Sequence, residues 1–256
     1  MPSLPYRGRF APSPTGLLHL GTARAALVAW QRARRAGGTL VLRLEDLDAP
    51  RVVPGSAEAL LEDLHWLGLD WDEGPHRQSQ RLGLYQEALE RLKLQGLAYP
   101  CTCSRKEIAG IASAPHGDEG PPYTGVCRQG PRHPGRPAAW RFKMADFADD
   151  FVLQRSDGIF AYQLACAVDD GLMGITEVLR GEDLRSSAPR QAALLTALGF
   201  PVPAYVHVPL VLGADGQRLA KRNGALPIRE LRGAGMSPQQ VQALALENLT
   251  DLEGKP

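Results

Sequence analysis

The chain has 256 residues, 44% hydrophobic and 22% charged, with a formal net charge of +1. These are the proportions of a folded enzyme, so disorder is excluded as the default and nucleic-acid binding is left to local patches rather than to total charge. No charged segment precedes an apolar run and no stretch is apolar enough to span a bilayer, so a cytoplasmic protein is expected.

The first stretch to stand out is Arg9 to Thr22, RFAPSPTGLLHLGT. From Ala23 onward the apolar residues Ala23, Ala26, Leu27 and Trp30 recur at helical spacing, which predicts an amphipathic helix closing at Gly37 and Gly38. A loop that ends in a helix N-terminus can hold phosphate, because the first backbone N–H groups are unpaired and lie at the positive end of the dipole. Gly16 and Gly21 would let a nucleotide approach the backbone, and Pro12 and Pro14 extend the loop. On spacing alone, His19 reads as an ordinary helix-entry residue satisfied by a neighbour.

Thr39 to Leu44, TLVLRL, predicts a buried parallel strand, with Glu45, Asp46 and Asp48 just beyond its carboxyl end. Strand, loop, helix and strand begin a doubly wound sheet, whose ligands bind beyond the carboxyl ends of the strands. A helix follows Pro54 and Gly55, with Ser56 as its N-cap and Leu60, Leu61, Leu64 and Leu67 as its apolar positions. A second runs from about Gln80 to Gln95, with Leu82, Tyr85, Ala88, Leu89 and Leu92 inward and Gly96 as the stop.

From Cys101 to about Asp150 the chain becomes rich in proline and glycine, until Trp140, Phe142 and Met144 alternate as a strand. A segment so poor in apolar residues needs another tie. Cys101, Cys103 and Cys127 supply three soft ligands for a tetrahedral zinc, and the pattern in a reducing compartment favours metal over disulfide. His116 and His133 are chemically ordinary candidates for a fourth ligand. No acidic residue falls between Glu119 and Asp146, and that window holds Arg128, Arg132, His133, Arg136, Arg141 and Lys143, a candidate phosphate-contacting segment. Tyr99, Tyr123 or Trp140 could stack on a splayed RNA base nearby.

Asp157 and Gly158 mark a turn before IFAYQLACAVDD, in which Cys166 reads as a core residue. ITEVLRGEDL then predicts a strand ending near Arg180. A helix from Ser187 and Pro189 to Leu198 stops at Gly199. Strands are expected at Tyr205 to Val208 and Leu210 to Leu212, followed by a turn at Ala214 to Gln217 and the loop RLAKR. The remainder reads as one or two short helices, such as Pro238 to Leu246.

RFAPSPTG followed by HLGT resembles the HIGH signature of class I aminoacyl-tRNA synthetases in the form used by the glutamyl-tRNA synthetase family. His19 and Gly21 match its main positions, whereas Thr22 departs from its final histidine. LRLEDLD resembles that family's LRIEDTD segment, and RLAKR stands in the place of KMSKS, with Lys221 on its principal lysine and Arg218 and Ala220 departing. The departure implies slower or looser loop closure. The resemblance implies a glutamate pocket lined by Arg9, Phe10, Ala11, Pro12, Ser13, Glu45, Tyr162 and Arg180. It implies ATP binding by His19, Gly21 and Lys221, with His19 and Lys221 catalytic. Two arginines suit a substrate with two carboxylates, since each can grip one bidentately. CTC followed by Tyr-x-x-x-Cys resembles the zinc site of truncated glutamyl-synthetase paralogues, which implies Cys101, Cys103, Tyr123 and Cys127 as ligands.

The implied fold is α/β, the Rossmann-like doubly wound parallel sheet of class I aminoacyl-tRNA synthetases, with a zinc-tied insertion and a short C-terminal helical segment. The expected divisions are 6–98 and 156–225 for the halves of the catalytic domain and 99–155 for the insertion with its acceptor surface. Residues 226–256 would be a truncated helical stem-contact segment without an anticodon-binding domain. That shape resembles the glutamyl-Q tRNA(Asp) synthetases. It implies a monomeric ligase that uses ATP, Mg2+ and structural Zn2+ to activate L-glutamate and transfer it to the queuosine base in the anticodon of tRNA(Asp). The alternatives are a minimal or split glutamyl-tRNA synthetase charging the tRNA 3′ end, and a catalytically silent tRNA-binding regulator.

Overall fold

The structure is a computed structural model that describes residues 5–104, 106–108, 123–211 and 227–249. His116, Leu212 of the Leu210 to Leu212 segment, the turn at Ala214 to Gln217 and the RLAKR loop with Lys221 lie outside the described residues. In chain order the strands are β1 (Arg7–Phe10), β2 (Thr39–Leu44), β3 (Glu73–Arg77), β4 (Ala98–Cys101), β5 (Ala139–Phe142), β6 (Phe151–Gln154), β7 (Glu177–Gly181) and β8 (Ala204–Val208). The helices are α1 (Leu20–Arg35), α2 (Ser56–Trp66), α3 (Leu82–Leu94), α4 (Tyr162–Leu172), α5 (Ser187–Ala197), α6 (Ile228–Gly233) and α7 (Pro238–Leu246). Two compact units emerge: residues up to Gln80 with Gly174–Ala188 and everything from Pro203, and Arg81–Met173 with Pro189–Val202.

The first unit is built on a five-stranded sheet in the order β3-β2-β1-β7-β8, every described pairing parallel. β1 and β2 pair from Arg7 opposite Thr39 to Phe10 opposite Leu42. From β1 the chain builds outward on one side through β2 and β3, and on the other through β7 and β8. The switch point at the carboxyl ends of β1 and β7 is where such a sheet opens a crevice.

α1 follows β1 with its apolar residues buried, and Arg32, Arg34 and Arg35 fill its last turn, where the dipole is negative. Gly37 takes φ +58° to end it, and a Cβ at Gly38 would lie 2.4 Å from the Tyr6 carbonyl, so the turn back into β2 requires glycine at both. The core gathers Leu18, Ala23, Leu27, Leu42, Leu44, Leu60, Leu64, Ile228 and Val241.

Two ionic devices tie these elements together. At the amino end of β7, Glu177 accepts from Arg32 Nε and Nη2 at 2.7 and 2.6 Å and from the Tyr6 hydroxyl at 2.9 Å. Burial and the Glu177 charge push the Tyr6 phenol well above its ordinary range. One turn into α1, Arg24, 4% exposed, donates to main-chain carbonyls: Ala245 at 2.7 Å, Glu247 at 2.7 Å, Pro209 at 3.1 Å and Leu210 at 3.3 Å.

Ser56 is not the N-cap of α2. Gly55 holds that position with φ +77°, and the Ser56 hydroxyl donates back to the carbonyls of Pro14 and Val53, both at 2.6 Å. The hydroxyl therefore ties the loop after β1 instead of satisfying its own helix. Leu210 and Val211 are likewise not in a strand; the edge strand ends at Val208.

The second unit holds the antiparallel sheet β4-β5-β6 with α3 and α4. α3 buries Tyr85, Ala88, Leu89 and Leu92 and stops at Gly96, φ +69°, but Leu82 in its first turn is 48% exposed. Tyr162–Leu172 is a helix with Cys166 fully buried, and Asp169 inside it accepts from Arg81 and from the Tyr85 hydroxyl at 2.7 and 2.8 Å. Under β5 and β6, Asp150 accepts from the Tyr99 hydroxyl, from Arg128 and from the Met144 amide.

Candidate active site and metal centre

Within the first unit, the parallel sheet brings several of the sequence candidates to one edge. Arg9 lies on β1, 4% exposed, and its Nη1 donates to the Leu179 carbonyl at 2.9 Å. Arg180 lies on the neighbouring β7, 5% exposed. Glu45 follows the last residue of β2, its side chain 9% exposed, with its Oε1 3.4 Å from Nη2 of the fully buried Arg43. Its backbone N–H donates to the Pro12 carbonyl at 3.0 Å, and Val53 N–H donates to the Pro14 carbonyl at 3.1 Å. The proline loop is therefore strapped to the loop after β2.

Phe10, Pro12 and Pro14 are buried, Ala11 is half-buried and Ser13 is exposed. Gly16 takes φ +146°, a conformation open to glycine. His19 is the N-cap residue of α1 in extended conformation, and its side chain makes no capping bond. Leu18 accepts from Ile228 N–H at 2.8 Å and His19 bridges to Pro227, which ties the loop to the start of α6. Among the described residues, a Cβ at Gly21 would meet nothing within 4 Å, so their packing does not demand the glycine. The first turn of α1 carries no acidic residue that would oppose an anion.

Tyr162 is the first residue of α4, half-buried, in the second unit. Arg9, Glu45, Arg180 and His19 belong to the first unit.

Motif reading passed over Arg43, Tyr205 and His207. Arg180 pairs with His207 across β7 and β8, and its Nε reaches the imidazole Nε2 at 3.4 Å. Its guanidinium carbon stands 5.2 Å from the centre of the Tyr205 ring. Burial, then the charges of Arg180 and Arg185, push the His207 pKa down. The signal was present: in AYVHV, Tyr205 and His207 alternate on one face of a strand that lies beside Arg180.

In the second unit the Sγ atoms of Cys101, Cys103 and Cys127 lie within 4.8 Å of one another, with Cys103 and Cys127 3.5 Å apart. The Tyr123 hydroxyl is 3.4 Å from Cys101 Sγ and accepts from the Cys127 N–H at 3.0 Å. Sulfurs about 2.3 Å from a tetrahedral zinc stand roughly 3.8 Å apart, so these donors fit such an ion. Burial resists ionisation of Cys127, but backbone N–H groups of Arg132 and Thr102 with the Tyr123 and Cys103 side chains outweigh it and hold the thiol down at about 7. Burial, with the neighbouring Cys127 and Cys101, pushes Cys103 up to about 12 and sends the Tyr123 hydroxyl above the ordinary phenol range through burial and Cys101. A cation at the centre would reverse that balance and favour the ionised ligands. His133 Nε2 sits 2.7 Å from Glu107 Oε1, turned to a carboxylate.

Part of the basic window is paired with carboxylates that flank it. Arg128 pairs with Asp150, Arg136 with Glu107, and Arg141 lies over the Tyr123 ring at 4.1 Å. Tyr99 and Tyr123 are 8% and 3% exposed, so neither can stack on a base; burial and Asp150 also push the Tyr99 phenol well up. Trp140 is half-buried, with Lys93 Nζ 3.9 Å from its ring centre.

With this geometry in hand, comparison with known proteins is decisive at the level of family. A family model described as tRNA synthetases class I (E and Q), catalytic domain, matches residues 6–132 and 137–250. The chain belongs to that family. A relative named glutamyl-Q tRNA(Asp) synthetase, from Symbiobacterium thermophilum, is 50% identical over 269 residues, covering 91% of this chain and 83% of its own. Another of the same name, from Deinococcus radiodurans, is 51% identical and covers 92% of this chain and 86% of its own. The crystal structure of the glutamate-tRNA synthetase from Elizabethkingia anophelis superposes with a TM-score of 0.75 at 32% identity over 86% of this chain. The chain spans about half of that synthetase, 53%. As in the family, the sheet is the Rossmann-like parallel sheet of a class I tRNA synthetase. Among the described residues, no helix is long and apolar enough to cross a membrane.

Proposed function

We propose that the chain activates L-glutamate with ATP to glutamyl-adenylate and transfers the glutamate to the queuosine base in the anticodon of tRNA(Asp). The observation that carries this is the pair of buried arginines, Arg9 and Arg180, on the two strands flanking the switch point, beside Glu45 and the α1 entry. The two relatives named for that activity, matching nine-tenths of the chain, give the acceptor.

In this reading the glutamate α-carboxylate attacks the α-phosphorus of ATP, a new carboxyl–phosphate bond forms, and the bond to pyrophosphate breaks. Arg9 and Arg180 grip carboxylate and Glu45 accepts from the ammonium, so that the substrate is oriented before it reacts. The α1 N-terminus and His19 face the phosphates and stabilise charge on them in the transition state. Lys221 would share that role; its assignment rests on the RLAKR resemblance. Mg2+ bound with ATP supplies further charge neutralisation. Cys101, Cys103, Cys127 and Tyr123 would hold Zn2+ as a structural tie for the second unit. No protein nucleophile is required.

The test is transfer of labelled glutamate, with ATP and Mg2+, to tRNA from cells that make queuosine and from cells that do not. Label confined to the queuosine-containing pool is expected. Equal label on both pools would replace this reading with aminoacylation of the tRNA 3′ end.

A further inference from the structure

We propose that His207 is a positioning residue that holds Arg180 in the orientation that binds substrate carboxylate. The inference rests on the reading of Arg180 as a glutamate ligand and goes one residue beyond it. β8 lies parallel to β7 with His207 opposite Arg180, and the half-buried imidazole brings Nε2 to 3.4 Å from the guanidinium Nε. An Arg Nε always carries its proton, so the histidine nitrogen facing it must accept. That requires a neutral ring with its proton on Nδ1. Two neighbours enforce neutrality: Arg180 itself on β7, and Arg185 just after the short helical turn Glu182–Leu184. Glu182 in that turn acts in the opposite sense, and burial outweighs it.

The chemical consequence lies in which part of the fork remains. A carboxylate can meet an arginine side-on, through Nε and one terminal nitrogen, or end-on, through both terminal nitrogens. With Nε turned to His207, a side-on grip through Nε would have to break that contact, so the contact favours approach through the terminal nitrogens. The guanidinium carbon also lies over the ring of Tyr205, two residues earlier on the same face of β8, 5.2 Å from its centre. Strand β8 thus sets a hydrogen-bond acceptor and a ring face against a cation carried by β7.

Two measurements test this. In the first, the His207 ring is titrated by NMR in the full chain and in Arg180→Met. Loss of the guanidinium should raise the imidazole midpoint, and an unchanged midpoint would overturn the contact whether or not the chain activates glutamate. In the second, glutamate-dependent exchange of labelled pyrophosphate into ATP is followed for His207→Ala and His207→Gln. Gln places an acceptor close to the position of Nε2. Ala should raise KM for glutamate about tenfold, while kcat and KM for ATP stay within about twofold and Gln recovers most of the loss. Equal losses in kcat and in both KM values, or Gln no better than Ala, would overturn the positioning role. Absence of exchange in the unmodified chain would count against the proposed function instead, and the titration alone would then decide the contact.

Discussion

Replacing Arg9 with Met separates the substrate role of a buried cation from its role in the fold. Arg9 is 4% exposed on the central strand, and its Nη1 donates to the Leu179 carbonyl at 2.9 Å. Met preserves the aliphatic bulk and removes the charge. A hydrogen bond to a charged group contributes about 1.5–3 kcal/mol, so loss of a bidentate grip costs about 3–6 kcal/mol. That corresponds to roughly a hundredfold to ten-thousandfold rise in KM for glutamate. Stability moves much less, because the bonds lost with the guanidinium are offset by a buried cation that no longer has to be desolvated. The net change in unfolding free energy should stay within about 1.5 kcal/mol, only a few degrees in Tm for a chain of this size. Pyrophosphate exchange at varied glutamate and calorimetry on the same preparation provide the two readouts. A KM within about threefold of the unmodified chain would refute the assignment of Arg9 to substrate. A collapse in Tm would show that the guanidinium is a structural ion.

Other outcomes follow from groups outside that pocket. Cys101→Ser should lower bound zinc, measured by metal analysis, from about one ion per chain to a small fraction of that; unchanged stoichiometry would remove Cys101 from the ligand set. Glu177→Ala strands Arg32 and the Tyr6 hydroxyl without their acceptor and should cost about 3–5 kcal/mol in urea unfolding, with KM for glutamate unaffected because Glu177 lies at the opposite end of β7 from Arg180. Tyr6 has a folded pKa raised by burial and Glu177, so its contribution is fully present below about pH 10 and is lost as pH rises through the folded value. Stability should therefore fall above that pH, and Tyr6→Phe should flatten the decline.

The parts of the fold that could be read from the sequence are those where one periodicity has one solution. TLVLRL could hardly be anything but a buried parallel strand, and the spacing of Ala23, Ala26, Leu27 and Trp30 specifies α1. Legibility failed where a side chain had a choice of partners. Ser56 looks like a cap but bonds backward to Pro14, because Gly55 reaches the left-handed conformation. Leu82 has helical spacing yet sits in the exposed first turn of α3. Tyr99 and Tyr123 looked available for stacking on RNA, but their hydroxyls are committed to Asp150 and to the cysteine cluster, which draws both rings inward. His207 carries no motif; its relation to Arg180 exists only once β8 is known to lie against β7.

The carbonyls gathered by Arg24 come from both the exit of β8 and the end of α7, while Arg24 itself sits one turn into α1. Mechanically, this ties the last described helix to the opening turns of α1. Opening α7 would leave a guanidinium in the interior facing no acceptors from that helix, so its amides and those of the first turn of α1 should exchange with solvent in one shared opening event. If the α1 entry holds ATP as proposed, loosening α7 would be felt there as weaker ATP binding.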